Sequence, residues 1–142
     1  MEKFNAIDLF CGAGGLSLGF QQAGFNIIVG VDNEQAALDT FEFNHKGAIG
    51  LNADLSKRET FDLILKTAGD RKIDVVIAGP PCQGFSLTGP RNFDDPRNKL
   101  YLAVIEMVKQ YNPKGLLLKT SQEWRTCIKV RSKMKFWSVL EK

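Results

Sequence analysis

Cys82 stands in a distinctive stretch of the sequence, Ala78 to Ser86, which reads AGPPCQGFS. Proline fixes its own φ angle and drives the residue before it to an extended conformation, so Pro80 and Pro81 are expected to stiffen the backbone just before the thiol. A cysteine thiol is intrinsically a strong nucleophile, even though only a small fraction is thiolate at neutral pH. The pattern predicts a nucleophile presented by a rigid strand end.

A loop rich in glycine, proline and polar residues follows the thiol. About 15 residues carry no apolar periodicity, a length at which a loop is either functional or disordered, and we interpret this one as a lid. Cys11 and Cys127 lie far from Cys82 and no C-x-x-C spacing occurs, so neither a metal site nor a disulfide framework is expected. His45 is the only histidine, and we predict it at the surface.

A glycine turn (residues 12–15, GAGG) and two acidic residues form a second candidate site. Asp32 and Glu34 follow the next apolar run along the chain. Ser17 occupies the position of the third glycine in a dinucleotide fingerprint, which weakens an NAD interpretation. Glycines that let the backbone approach a ligand, with carboxylates that accept hydrogen bonds from ribose, equally suit a nucleoside such as S-adenosylmethionine. Taken alone, the turn could also be only a tight connection.

The elements that position these residues alternate between strand and helix. Apolar runs predict five strands, at residues 6–10, 26–32, 48–54, 74–79 and 115–118. Helical spacing predicts a helix between each pair, the first closed by Gly24 and the third begun by a capping box of Ser56 and Glu59. Such alternation predicts an α/β fold with a doubly wound, mostly parallel sheet of about five strands. Ligands of such sheets bind beyond the carboxyl ends of the strands, where both candidate sites lie.

Composition narrows the class of protein. The 142 residues are 44% apolar, enough for one domain with its own core. No run approaches the roughly 18 to 20 apolar residues of a membrane span, and no signal peptide is recognisable, so we expect a cytoplasmic protein without a membrane partner.

Four segments together resemble the cofactor-binding half of the DNA (cytosine-5) methyltransferase family. They read DLFCGAGGLSLGF (8–20), VDNE (31–34), AGPPCQGFS (78–86) and RNKLYLAVIEMVKQYNPKGLLL (97–118). The resemblance covers nearly all of residues 4–118. It implies a Rossmann-like, S-adenosylmethionine-dependent methyltransferase fold, with double-stranded DNA as partner and a role in bacterial or phage-like restriction and modification.

The resemblance also implies roles for individual residues. Cys82 matches the nucleophile that attacks C6 of a cytosine flipped out of the duplex; C5 then takes the methyl group, and loss of the C5 proton expels the sulfur. The loop residues that would close over the base are Gln83, Ser86 and Arg97. The predicted cofactor-binding residues are Phe10, Gly12, Gly14, Gly15, Leu16, Asp32, Glu34, Asp54, Leu55, Gly79, Pro81 and Leu100. Among them, Glu34 is expected at the ribose, and Asp54 and Leu55 beside the adenine.

The pattern breaks after residue 118. The family's fifth strand runs into Glu-Asn-Val, whose glutamate lies at N3 of the flipped cytosine, but Lys119 and Thr120 stand there instead. Seven Lys or Arg and two Glu follow from Lys119 onward, without the family's remaining strands or DNA-reading region. The expected Glu-Asn-Val can be encoded as GAA AAC GTC. Deletion of the first G changes the reading frame to AAA ACG TC, which encodes Lys-Thr-Ser, the order found at 119–121. We therefore predict a catalytic half at 1–118, an out-of-frame basic tail at 119–142, and a chain inactive in methyl transfer.

Several alternatives stay open at this point. The tail could instead form a C-terminal helix from about residue 122 to 140. The chain could be a catalytically dead nucleotide-binding remnant, or half of an enzyme completed by a second chain. An RNA cytosine-5 methyltransferase has the same architecture, and an NAD oxidoreductase is the remaining class.

Overall fold

The computed structural model describes residues 3–80, 98–119 and 124–128, with side chains described for 3–80 and 100–119. Strands and helices alternate along these residues. None of the described helices is long and apolar enough to cross a membrane. The elements in chain order are β1 (Asn5–Leu9), α1 (Gly15–Gln22), β2 (Asn26–Asp32), α2 (Gln35–Asn44), β3 (Ile49–Asn52), α3 (Arg58–Ala68), β4 (Val75–Ala78), α4 (Asn98–Tyr111), β5 (Gly115–Lys119) and β6 (Trp124–Ile128).

The strands form one sheet in the order β3-β2-β1-β4-β5-β6. The first five of these are mutually parallel, and β6 pairs with β5 in the antiparallel sense. The chain winds outward from β1 to β3 on one side and from β4 to β5 on the other, which leaves a topological switch point between β1 and β4. The predicted α/β class, with a doubly wound and mostly parallel sheet, is confirmed.

Helices cover both faces of the sheet. One face packs against α3 and α4 around a core in which Leu9, Val31, Ile64, Val104 and Met107 are each at most 2% exposed. Burial of such side chains contributes about 1.5–3 kcal/mol each to the free energy of unfolding. The apolar faces of the two helices therefore bind them to the sheet, as the periodicity predicts.

The opposite face carries α1 and α2 over a smaller core that includes the fully buried Phe41. A Cβ atom built on Gly30 of β2 would lie 2.4 Å from Cζ of Phe41. Glycine in this strand therefore makes room for the aromatic ring and lets α2 lie close to β2. The connection from β2 to α2 is short, so α2 begins just beyond the carboxyl end of β2, at the edge of the sheet where ligands are expected.

Two local predictions are wrong. Ser56 and Glu59 do not form a capping box, because the residue that precedes α3 is Lys57, which makes no side-chain cap. A helix from 122 to 140 is contradicted at Trp124–Ile128, where the backbone pairs with β5 as β6. The unpaired edge of β5 offers backbone groups to any extended segment that follows it. The out-of-frame origin of the tail stays a prediction.

Candidate functional site

The carboxyl ends of the first four strands lie side by side at one edge of the sheet. The Ala53 N–H donates to the Asp32 carbonyl at 2.9 Å, which joins the ends of β3 and β2. The Gly79 N–H donates to the Leu9 carbonyl at 3.0 Å, which joins the ends of β4 and β1. The segments predicted to carry the ligand are thus held together by the backbone.

The glycine turn connects β1 to α1 through left-handed backbone conformations. Phe10 has a φ of 65°, and two glycines follow with positive φ values, 53° at Gly12 and 87° at Gly14. The Gly14 N–H donates to the Cys11 carbonyl at 2.9 Å, and the Gly14 carbonyl accepts from Leu18 N–H at 2.8 Å. Glycine adopts this region without a steric cost, so the turn needs glycine at these two positions for its conformation.

Two stacked rings from α2 support the glycine turn from below. The His45 ring lies 4.4 Å from the Phe41 ring at an interplanar angle of 19°. A Cβ atom built on Gly14 would lie 2.3 Å from Cε1 of His45 and 2.7 Å from the Phe41 ring. His45 is 1% exposed and its Nδ1 lies 2.7 Å from the Phe41 carbonyl, so the prediction of a surface histidine is wrong. The packing of the His45 ring beneath Gly14 explains the burial of His45.

Asp32 joins the glycine turn to the start of α2. Its Oδ2 accepts from the Gly12 N–H at 2.8 Å, and its Oδ1 accepts from the Glu34 N–H at 3.1 Å. A carboxylate offers about four lone-pair sites, so both oxygens keep further acceptor capacity toward a ligand. Asp32 therefore shapes the site and also presents acceptors within it.

A second carboxyl lies under the other end of the turn. Asp8 of β1 is 1% exposed, and its Oδ2 accepts from the Ser17 hydroxyl in α1 at 2.6 Å. Burial, with the Asp32 carboxylate nearby, raises the pKa of Asp8 to about 7 although the Ser17 hydrogen bond lowers it. Burial and both carboxylates also raise the pKa of the Cys11 thiol, so Cys11 is a buried neutral group.

A cavity of about 90 Å³ opens at the strand ends. We call it the strand-end cavity. The residues that line it are Phe10, Asp32, Asn33, Ala53, Asp54, Leu55 and Leu100. Five of them are predicted cofactor-binding residues that come from four separate segments of the chain. The fold thus brings together apolar walls and carboxylates that lie up to 90 positions apart in the sequence.

Asp54 has a structural task in addition to its place in the cavity. Its Oδ1 accepts from the Ser56 N–H at 2.9 Å, and its carbonyl accepts from the Thr60 hydroxyl at 2.6 Å. The hydrogen bonds from the side chain and backbone of Ser56 hold the pKa of Asp54 below its ordinary value. These contacts replace the predicted capping box and fix the connection from β3 to α3.

The other described cofactor-binding candidates do not line this cavity. Glu34 is exposed and precedes α2. A Cβ atom built on Gly79 would lie 3.8 Å from the Phe10 carbonyl, while Gly15 opens α1 and Leu16 packs on the core beneath that helix. The predicted residues that lie outside the described part of the chain are Pro81, Cys82, Gln83, Ser86 and Arg97.

A larger groove of about 360 Å³ runs between α3 and α4. Its walls include Phe61, Leu65, Leu102 and Met107, and it meets the strand-end cavity at Leu55. None of the glycine turn or the acidic strand ends lines it. Ligands of open α/β sheets bind at the strand ends, so we assign the candidate site to the smaller cavity.

Sequence reasoning missed the supporting layer of the site. Asp8 carries a signal that could have found it, because a carboxyl inside an apolar strand is costly to bury unless it has a partner. In the sequence, its partner Ser17 stands out only as a departure from the dinucleotide glycine fingerprint. His45 carried no local signal, since its burial depends on how α2 packs against the turn.

The chain is similar to known proteins over most of its length. The model of the C-5 cytosine-specific DNA methylase family matches residues 4–123. The type II methyltransferase M.AgeI of Thalassovita gelatinovora is 45% identical over 116 residues, which are 79% of this chain and 26% of that protein.

Solved structures show the same architecture. A crystal structure described as a DNA modification methyltransferase encoded within an E. coli prophage has a TM-score of 0.66 and 38% identity, covering 82% of this chain and 31% of that chain. The TehB-like SAM-dependent methyltransferase of Corynebacterium glutamicum shares the fold, with a TM-score of 0.53 and 14% identity over 83% of this chain and 55% of its own. The chain thus spans about a quarter to a third of the length of M.AgeI and the prophage protein.

Proposed function

Because the chain belongs to the C-5 cytosine-specific DNA methylase family, we propose that residues 1–118 are the cofactor-binding half of a DNA cytosine-5 methyltransferase. One observation carries the proposal: the strand-end cavity collects Phe10, Asp32, Asp54, Leu55 and Leu100 beside the glycine turn. S-adenosylmethionine is the ligand we assign to it. The methyl group this cofactor carries is the one that would be transferred to cytosine.

The residues of the strand-end cavity fit a nucleoside. Phe10, Leu55 and Leu100 supply apolar surface for a planar base, and ligand sites generally combine such walls with a few polar groups. Asp32 and Asp54 supply acceptors for the hydroxyl and amino groups of a nucleoside. None of the described residues that line the cavity is a lysine or arginine, which suits a ligand without a pyrophosphate better than NAD.

Asp32 and Glu34 are the ribose ligands that we propose. Asp32 lines the cavity and keeps lone pairs after its two backbone hydrogen bonds, and the Glu34 side chain is exposed directly before α2. Both carboxylates are therefore available to accept hydrogen bonds from the ribose hydroxyls.

For the chemistry, Cys82 is the proposed nucleophile. Its thiolate would attack C6 of a flipped cytosine, and departure of the C5 proton after methyl transfer would release the sulfur as the C5–C6 double bond returns. The glutamate expected to act at N3 is replaced by Lys119, which brings a cationic donor of different reach. We accordingly propose that the chain alone is inactive, either as a remnant or as a half that needs a second chain.

Ligand binding tests the cofactor assignment. Calorimetric titration with S-adenosylhomocysteine is expected to give a micromolar dissociation constant in the wild type. Asp32→Ala removes ribose acceptors and a support of the glycine turn, and Glu34→Ala removes ribose acceptors alone, so binding should be lost in both variants. A folded chain that binds NAD, or that binds neither ligand, would contradict the proposal.

Methyl transfer tests the activity assignment. The wild-type chain is expected to show no transfer to duplex DNA and no covalent adduct with a 5-fluorocytosine duplex, with Cys82→Ser as the matched control. Transfer that depends on Cys82 would overturn the proposed inactivity. Transfer to RNA and not to duplex DNA would move the chain to the RNA cytosine-5 methyltransferases.

The partners and setting follow from the same family. We propose double-stranded DNA as the partner of the complete enzyme, in the cytoplasm of a bacterial or phage-infected cell and on the nucleoid when bound. The role we assign is modification in a restriction–modification system. We propose further that residues 119–142 are an out-of-frame tail; a coding sequence with no methyltransferase-like frame downstream would remove that proposal.

A further inference from the structure

Two carboxyls from neighbouring strands lie under the two ends of the glycine turn. Asp32 of β2 accepts a hydrogen bond from the Gly12 N–H at 2.8 Å, and Asp8 of β1 accepts one from the Ser17 hydroxyl at 2.6 Å. In the sheet Asp8 is paired with Gly30, two residues before Asp32. Side chains alternate along a strand, so Asp8 and Asp32 point to the same face of the sheet as diagonal neighbours.

Among the described residues, those around Asp8 do not offer a positive charge. α1 contributes the Ser17 hydroxyl, β2 contributes Asp32, and the turn contributes the buried thiol of Cys11. β4 contributes the apolar Ile77, which is paired with Asp8. From α2, His45 packs against Gly14 in the same layer.

We propose that Asp8 is a positioning residue for the cofactor site: while its carboxyl is protonated, it adds no second negative charge beside Asp32 beneath the glycine turn. Like charges on neighbouring carboxyls repel, and a carboxylate as buried as Asp8 is costly without a cationic partner. The raised pKa of Asp8, about 7, agrees with this arrangement. The inference rests on the proposed function in one respect, that the turn binds S-adenosylmethionine.

The consequence is a turn that responds to one proton. When Asp8 loses its proton, repulsion from Asp32 and the poor solvation of the Asp8 carboxylate favour their separation. The hydrogen bond from the Gly12 N–H to Asp32 is the contact that this separation weakens, and the turn then presents its backbone to the ligand less well. Cofactor affinity should therefore fall as the pH rises through the range in which Asp8 ionises.

Asp8→Asn supplies the test, because asparagine keeps an acceptor for the Ser17 hydroxyl and cannot ionise. The amide resonance of Gly12 is followed by NMR in the ligand-free chain, and S-adenosylhomocysteine affinity by calorimetry, from about pH 5.5 to about pH 9. In the wild type we expect the Gly12 resonance to titrate with a midpoint near pH 7 and the affinity to fall about tenfold. In Asp8→Asn both should be flat and equal to the low-pH values.

A second variant keeps the test decisive if Asp8→Asn does not fold. Ser17→Ala removes the donor that favours the ionised carboxylate, so the midpoint of the Gly12 titration should move to higher pH. A Gly12 resonance that does not titrate in the wild type, or that titrates unchanged in Asp8→Asn, overturns the inference. A Gly12 titration without any S-adenosylhomocysteine binding would refute the proposed function and leave the role of Asp8 in the turn intact.

Discussion

At the scale of single residues, Gly14 carries two constraints at once. Its φ is 87°, and the space of a Cβ atom is occupied by the rings of His45 and Phe41. Gly14→Ala should therefore lower the free energy of unfolding by at least about 2 kcal/mol, since it adds strain and overpacking together. Binding of S-adenosylhomocysteine should be lost in any fraction that stays folded. Chemical denaturation and calorimetry measure the two effects.

Gly19→Ala is the matched control for that substitution. Gly19 lies within α1, has no positive φ, and would place its Cβ atom in open space. Alanine there should raise the free energy of unfolding by about 0.5–1 kcal/mol and leave ligand affinity unchanged. Equal effects of the two substitutions would show that the rings do not support the turn.

Asp8 predicts a pH dependence of stability. Below about pH 4 it is protonated in the folded and unfolded chain alike, so it imposes no penalty. From its ordinary pKa of 3.8 up to about 7 only the unfolded chain loses the proton, so stability falls as the pH rises. At pH 8 Asp8→Asn should therefore be more stable than the wild type by up to about 4 kcal/mol, and at pH 4 about equal. Thermal and urea unfolding measure the difference in stability between Asp8→Asn and the wild type across this range. A difference that does not change with pH would show that Asp8 does not cause the pH dependence.

Most of the residues that line the strand-end cavity could be predicted from the sequence, whereas their supports could not. Phe10, Asp32 and Asp54 each follow an apolar run, and the ends of parallel strands must meet at one edge of a sheet. Ser17 and His45 reach the site through helix packing, which no local pattern encodes. The exposure of Glu34 was likewise beyond prediction, because two residues beyond the end of a strand the direction of a side chain depends on the turn.

At the scale of elements, β6 can be removed without touching the strand-end cavity. It pairs with β5 along its whole length, from Gly115 opposite Ile128 to Lys119 opposite Trp124. A chain that ends at Ser121 exposes the apolar edge of β5, so we expect lower thermal stability and more aggregation. Affinity for S-adenosylhomocysteine should stay within about twofold, since distant sites act independently.

The outcome of that truncation bears on the predicted boundary at residue 118. A loss of ligand affinity larger than the loss of stability accounts for would mean that the tail contributes to the site. Light scattering separates aggregation from weaker binding, and a refolded, monodisperse fraction is used for calorimetry.

Elements with strong apolar runs could be predicted from the sequence, whereas the pairing of β6 with β5 could not. The residues VVIA of β4 are apolar throughout, as a strand buried on both faces requires. β6, by contrast, contains Trp124, Arg125 and Thr126 without clear alternation. Its conformation depends on the free edge of β5, which is a property of the sheet and not of the segment.

At the scale of the whole molecule, the end of the sheet opposite the site is held by Asp74. Its Oδ1 lies 2.7 Å from Nζ of Lys114, and its Oδ2 accepts from the Asn5 N–H at 3.1 Å. Lys114 also lies 4.2 Å from the centre of the Phe4 ring. These contacts join the start of β1, the start of β4 and the connection before β5, so they tie the two halves of the sheet together.

Lys114→Met should weaken the fold but leave the site unchanged. Burial raises the pKa of Asp74, but the hydrogen bonds from Lys114 and Asn5 outweigh it, so the pKa lies below its ordinary value. The ion pair therefore stabilises the fold above the ordinary pKa of aspartate and is lost as the pH falls through the lowered one. With Lys114 half exposed, we expect a loss of about 1 kcal/mol at pH 7 and convergence with the wild type in acid.

Lys109→Met is the control, an exposed lysine in the last turn of α4. Its free energy of unfolding should stay within about 0.5 kcal/mol of the wild type. Both variants should bind S-adenosylhomocysteine as the wild type does. A loss of affinity in Lys114→Met would mean that the two ends of the sheet are coupled.

Phe10 links these scales in a different way. Its backbone has a positive φ, which residues other than glycine and asparagine rarely adopt and which costs about 1–2 kcal/mol. Its ring forms a wall of the strand-end cavity. A laboratory selection for heat resistance would therefore enrich glycine at this position, and a selection for ligand capture would enrich phenylalanine. When the two selections are alternated on one library, the residue enriched at position 10 should change between glycine and phenylalanine, while the buried strand residues around it stay fixed.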